Sequence, residues 1–207
     1  MKIQENKIDK YLAWLLVISV LVRGFLAAFI EFGNDEVYYW TYAMYPDWSH
    51  FDHPGMVGWI MQIFSLNLLF HSEFALRLSS IIFMTLDTFI IYKIGCLVKN
   101  KLAGFYAALL YTASFYCFVI TGVFIMPDTP LMLFTLRAIG CFLSAFRGEA
   151  EKSVKHYVLA GLFTGLALLS KYSAGFIWVG VGLYILLYDR KQLKNKYLYL
   201  SILISAV

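Results

Sequence analysis

The stretch Pro54–Phe70, PGMVGWIMQIFSLNLLF, decides the fold of this chain. It carries no charge over 17 residues, close to the ~20 apolar residues that a helix needs to cross a bilayer. If it crosses, every later connection changes side. Basic residues decide the matter, because cytoplasmic connections near helix ends carry the excess of Lys and Arg. With Pro54–Phe70 lying along the surface, Lys2, Lys7, Lys10, Lys93, Lys99, Lys101, Arg147, Lys152, Lys155, Arg190, Lys191, Lys194 and Lys196 all fall on the cytoplasmic side. Only Arg77 and Lys171 then fall outside. The crossing alternative inverts that distribution, so the stretch is read as an interfacial helix with Trp59 and Gln62 near the headgroups.

Working outward, the sequence predicts spans at Tyr11–Ile30, Leu76–Val98, Leu102–Ile120, Thr129–Phe146, Tyr157–Leu169, Ala174–Tyr188 and from Tyr197 to the end. The basic leader before Tyr11 resembles a signal peptide, but the apolar run is long and lacks a small-residue cleavage site, which predicts an uncleaved anchor. Composition agrees: 61% of residues are hydrophobic and 14% charged, against roughly 25% charged in soluble domains, and the mean hydropathy is +0.70. The expected fold is an all-α integral membrane protein of about seven spans. Its first external connection, residues 31–75, is long and carries interfacial helices at Asp35–Met44 and Gly55–Phe70. The chain stops inside an apolar run, Ser205-Ala206-Val207, so residues 1–207 are expected to be the N-terminal portion of a longer protein.

Several function classes are excluded. Cys96, Cys117 and Cys141 stand singly in apolar runs, with no disulfide framework or metal spacing. The net charge of +4 is spread over helix ends and forms no stripe for nucleic acid. No phosphate-binding glycine loop, Walker motif or nucleophile elbow is present. The glycines at 161, 165, 175, 180 and 182 are expected to let helices pack closely, as small residues do in bilayers.

Chemistry concentrates outside. Glu31, Asp35, Glu36, Asp47, Asp52 and Glu73 lie in the first external connection and Asp128 in the second. A carboxylate at a helix start beside the bilayer suits a general base acting on a lipid headgroup. Asp35 and Glu36 point about 100° apart on a helix, so one can face substrate while the other anchors structure. Asn34 and Asp35 equally suit the capping of an interfacial helix. His50 and His53 lie near Asp47 and Asp52 but lack a metal-ligand spacing, which favours a hydrogen-bonding role toward phosphate or a carboxylate. Arg77 and Lys171, at outer helix ends, suit a lipid phosphate or snorkelling to headgroups. Arg23, Asp87 and Arg137 fall near mid-membrane, where charges are costly unless paired; an interior pair of Asp87 with Arg23 or Arg137 is expected.

Five motifs in order, Asn34–Trp40 (NDEVYYW), Phe51–Val57 (FDHPGMV), Ser72–Leu78 (SEFALRL), Pro127–Pro130 (PDTP) and Leu169–Tyr172 (LSKY), resemble those of the GT-C glycosyltransferases related to protein O-mannosyltransferases and to the lipid A aminoarabinose transferase. The usual pattern has a second proline where Gly55 stands. The resemblance implies transfer of a sugar from a polyprenyl-phosphate donor to a lipid or protein acceptor on the outer, periplasmic side of a bacterial inner membrane. It implies Asp35 as base, Glu36 orienting it or contacting the acceptor, and Asp128 shaping the site. Arg77, Lys171 and His53 would hold the donor phosphate, and Asp52 would support the loop. No cofactor is evident; a divalent metal is compatible with the reading and not required by it. The competing reading is a non-enzymatic membrane protein, a transporter with a path through Arg23, Asp87 and Arg137 or a structural subunit.

Overall fold

The computed structural model describes residues 2–148 and 150–206, with side chains for 7–148 and 154–206. Among the described residues the chain is helical, and its one β-type pairing is an isolated bridge between Ser49 and Pro54. Helices α1 (Lys2–Phe29), α4 (Glu73–Val98) and α6 (Asp128–Arg147) contain the described stretches long and apolar enough to cross a membrane. Shorter apolar helices α5 (Lys101–Ala113), α7 (Ala150–Leu168), α8 (Phe176–Tyr188) and α9 (Lys196–Ser205) pack around them. Helix α4 touches α1, α5 and α6; α6 touches α7, and α7 touches α9. The outward face of α1 exposes Trp14, Ile18, Leu21 and Phe25, as a lipid-facing helix does.

Because lipid tails are as apolar as leucine, such helices associate through close van der Waals contact at small residues. A Cβ on Gly95 of α4 would lie 2.6 Å from Cα of Gly104 on α5, and one on Gly161 of α7 would lie 2.5 Å from the Ser201 carbonyl oxygen of α9. Gly161 therefore does what its position suggests. Gly175, Gly180 and Gly182 differ: nothing lies within 4 Å of a Cβ there, so they hold no helix contact.

The expected span Leu102–Ile120 is broken. Helix α5 stops at Ala113, Ser114 takes an extended backbone (φ −68°, ψ 123°), and the chain resumes as a π-helix over Tyr116–Ile120. Arg23 of α1 meets this π-turn: its Nε donates to the Phe118 carbonyl at 3.3 Å and its guanidinium sits 4.7 Å above the Phe118 ring.

Between α2 (Asn34–Met44) and α4, the ambiguous stretch forms α3 (Met56–Phe64). Nine residues rise about 14 Å, well short of a hydrocarbon core of ~30 Å. The helix ends six residues before the expected Phe70 because Leu66, Asn67 and Leu68 all take positive φ (50°, 58° and 63°). Ser65 Oγ accepts from the Leu68 N–H at 2.9 Å, and Asn67 N–H returns to the Gln62 carbonyl; these bonds hold a turn that L-residues otherwise avoid.

Of the two cations considered as partners for Asp87, Arg23 is the one that faces it; Arg137 lies elsewhere, over the Phe163 ring. Arg23 and Asp87 are both fully buried and attract one another without reaching contact distance. Asp87 accepts from Tyr111 Oη at 3.2 Å. Asp87→Ala removes the buried acceptor of the Tyr111 hydroxyl and the carboxyl group that faces Arg23, and it leaves a cavity between α1, α4 and α5. The purified variant should melt several degrees below the parent, and an unchanged melting temperature would refute the structural role.

Candidate active site

At one end of the bundle, the three connections expected on the outer side meet. Helix α2 begins at the Gly33 N-cap, and the Gly33 N–H donates to Glu36 Oε2 at 3.1 Å, the reach-back half of a capping box. Glu36 Oε1 also accepts from the Ile125 N–H at 3.1 Å, tying the 121–127 connection to α2. Both carboxylate oxygens take Arg77 in bidentate fashion, Nε to Oε1 at 2.8 Å and Nη2 to Oε2 at 2.6 Å. The remaining Arg77 N–H groups donate to the carbonyls of Ala27 (3.1 Å), Glu31 (3.1 Å) and Ile30. The Phe32 and Phe124 rings flank the guanidinium at 4.9 and 5.5 Å. A guanidinium has five N–H donors, and all five are occupied. Arg77 is thus placed otherwise than its position at a helix end suggests: fully buried, it binds the end of α1 to the start of α2 and has no N–H left for a phosphate.

Asp35, one residue earlier, is exposed at the start of α2, and its carboxylate has no hydrogen-bond or ion-pair partner among the described residues. The helical turn between the two neighbours separates their fates. Asp128 opens α6, where both its oxygens meet Lys171 Nζ at 3.0 and 2.9 Å. Lys171 is 31% exposed, and its ammonium retains a donor beyond the two that face Asp128. The Tyr39 phenol, buried in the cluster of Tyr42, Val57, Met61 and Ile125, joins these groups. Burial and the nearby carboxylates of Asp52, Asp35 and Asp128 push its ionisation up to about 12. It stays a neutral phenol among three acids.

The 47–55 loop is a small closed structure. The His50 N–H donates to the His53 carbonyl at 2.9 Å and the Gly55 N–H to the Trp48 carbonyl at 3.0 Å. Tyr38 Oη donates to Asp52 Oδ1 at 2.9 Å, and Tyr42 Oη donates to the same oxygen. Burial alone would raise the Asp52 carboxyl, but the two phenols and His53 outweigh it and hold it below the ordinary aspartate value. His50 stacks on Tyr42 with centroids 3.6 Å apart, while His53 Nε2 lies 3.9 Å from Asp52 and its Nδ1 has no partner. Met56 N–H reaches the Leu169 carbonyl at 3.3 Å, and Ser49 Oγ lies 3.1 Å from Tyr172 Oη. These contacts bring the third connection to the first. Gln62, expected near headgroups, instead donates to the Ala43 carbonyl at 3.0 Å and satisfies the end of α2. Among the described residues no three His, Cys, Asp or Glu side chains converge as a metal site.

The sequence suggests Tyr38 and Tyr42 as anchors to headgroups or lining for a sugar, and does not pair them with Asp52, to which both donate. Their i, i+4 spacing puts them on one helix face, which is the signal that could have paired them with Asp52.

Residues 52–207 match the family described as dolichyl-phosphate-mannose-protein mannosyltransferase, and the chain belongs to that family. Among curated relatives, it is 27% identical over 144 residues to the undecaprenyl phosphate-alpha-4-amino-4-deoxy-L-arabinose arabinosyl transferase 2 of Proteus mirabilis (strain HI4320). That alignment covers 69% of this chain and 25% of the relative, so the chain spans about a quarter of the relative's length. No solved structure matches it significantly.

Two outcomes test this construction. Gly55→Pro restores the second proline of the usual motif, yet it removes the N–H bonded to Trp48 and puts a Cβ 2.0 Å from the Asp47 carbonyl oxygen. It should destabilise the protein by about 1–3 kcal/mol, seen as a lowered melting temperature; a stabilised variant would contradict the loop geometry. The second concerns pH. With its folded value depressed, Asp52 contributes stability that is complete above the unfolded aspartate value of about 3.9 and is lost as pH falls below it. Tyr42→Phe should flatten that acid-side loss in melting curves taken across the window, and an unaltered slope would show that Tyr42 does not hold the charge.

Proposed function

We propose that this protein is a membrane glycosyltransferase that takes a sugar from a polyprenyl-phosphate donor and delivers it to a hydroxyl of a lipid or protein acceptor at the outer membrane face. One observation carries the reading: of two adjacent acids at the start of α2, Glu36 is consumed by Arg77 while Asp35 is exposed and unpaired. An available carboxylate on a rigidly held helix end is what a general base requires. Family membership and the relative's printed activity on an undecaprenyl phosphate sugar support the donor class.

In this mechanism Asp35 removes the acceptor hydroxyl proton as that oxygen attacks the anomeric carbon. The bond from that carbon to the phosphate oxygen breaks, and the polyprenyl phosphate leaves with the bonding electrons. Lys171, oriented by Asp128, meets the developing phosphate charge with its remaining N–H. His53, with one imidazole nitrogen unbonded, assists there, and Asp52 supports the loop through Tyr38 and Tyr42. Arg77 takes no part in phosphate binding here; with Glu36 it fixes the position of Asp35. The basic connections at the opposite helix ends support placing the site on the periplasmic side of a bacterial inner membrane.

The test is transfer from a panel of radiolabelled polyprenyl-phosphate sugars by the purified protein in lipid nanodiscs. Asp35→Asn should fold and melt normally but lose 10²-fold or more in rate, the range for general-base removal. Glu36→Gln should instead melt early, since it leaves the buried Arg77 charge without its counter-ion. Full transfer by Asp35→Asn would overturn the assignment.

A further inference from the structure

At the end of the bundle away from Asp35, α4, α6 and α7 enclose a groove of about 320 Å³. Lys93, Arg137, Lys155 and His156 line it, and among the described residues no carboxylate does. None of these four side chains makes a hydrogen bond or ion pair with a described residue; Lys93 lies over the Phe89 ring at 5.1 Å and Arg137 over the Phe163 ring at 5.1 Å. The rest of the lining is mainly apolar, including Phe89, Leu97 and Leu136.

The placement is hard to explain without an anion. Arg137 sits ten residues from the end of α6, about 15 Å along the helix, at a depth where an unpaired charge is costly. Arg23, the other mid-membrane arginine, is buried facing Asp87, whereas Arg137 is exposed at the surface of the bundle. A long basic side chain at that depth reaches toward the interface, which is where Lys93, five residues before the end of α4, and His156, early in α7, stand. Lys93 also stands in the field of Asp9 of α1, but on the groove side three cations and an imidazole gather against apolar walls with no described carboxylate among them, an arrangement that a counter-ion would relieve. In a membrane groove open to the bilayer, the anion at hand is a lipid phosphate, whose acyl chains suit walls such as Phe89 and Leu136.

We infer that the α4–α6–α7 groove binds the headgroup of an anionic phospholipid, its phosphate held by Arg137, Lys93 and Lys155 and its chains laid along α4 and α6. Basic pockets between membrane helices take such headgroups by charge and shape. The inference stands apart from the transfer reaction, since none of these residues belongs to the Asp35 site.

Native mass spectrometry of the purified full chain, titrated with dioleoyl phosphatidylglycerol or dioleoyl phosphatidylcholine, tests it. Phosphatidylglycerol should bind at least tenfold more tightly. Each cation near a membrane surface contributes roughly fivefold, so the double variant K93Q/K155Q should weaken phosphatidylglycerol binding by about 25-fold and leave phosphatidylcholine unchanged. Arg137→Gln should weaken it by about fivefold; if that variant fails to fold, the double variant still decides. A control double variant K191Q/K194Q, in the exposed turn before α9, should bind like the parent. Equal affinity for the two lipids, loss in the control, or no loss in K93Q/K155Q would overturn the inference. Displacement of phosphatidylglycerol by millimolar inorganic phosphate would also overturn it, by showing a site for a free anion.

Discussion

The structure depends on one buried ion pair. Glu36 and Arg77 are shut off from solvent, with side-chain exposures of 3% and 0%, and burying two charges costs several kcal/mol per ion unless geometry and hydrogen bonds restore it. Here they do. The carboxylate takes four N–H donors, from Arg77, Gly33 and Ile125, and the guanidinium fills its remaining valences with carbonyls at the end of α1. Those carbonyls are the ones a helix terminus leaves without partners. One pair therefore closes α1, starts α2, anchors α4 and captures the connection before α6.

That anchoring gives the neighbouring residue its chemical character. Asp35 and Glu36 are alike in type and adjacent in the chain, yet the turn of α2 buries one and exposes the other. The loop beyond α2 is organised by a second carboxylate, Asp52, whose charge is held by two phenols one helical turn apart. Tyr39 lies between these acids as a neutral group. Lys171 and Asp128 complete the arrangement from two other helices, so the proposed site is assembled from all three connections.

Polar residues elsewhere follow the same rule of a low-dielectric medium. Arg23 of α1 and Asp87 of α4 stand in each other's field, near a π-turn that interrupts an otherwise continuous span. At the far end, Lys93, Arg137, Lys155 and His156 share a groove with no acid among its described residues. Charges in such a medium need partners, and whether the partner is a side chain or a lipid depends on which helices enclose them.

Much of this was legible in the sequence. Apolar runs and the bias of Lys and Arg between their ends were enough to call an all-helical membrane chain, and the brevity of α3 accords with reading Pro54–Phe70 as a surface segment. The five ordered motifs pointed to the family that residues 52–207 match. Composition also marked the acids at 35, 36, 52 and 128 as a group. What it could not assign was their division of labour. Arg77 and Lys171 look alike as cations at helix ends, but one has every N–H engaged and the other keeps one open. Likewise Arg23 and Arg137 look alike as mid-span arginines, and only packing showed which faces Asp87. Sequence determines which side chains a segment carries and how they alternate around its axis, because helical periodicity is local. Which of them become buried, paired or open is set by contacts between helices 41 to 89 residues apart in the chain, and those exist only in the tertiary structure.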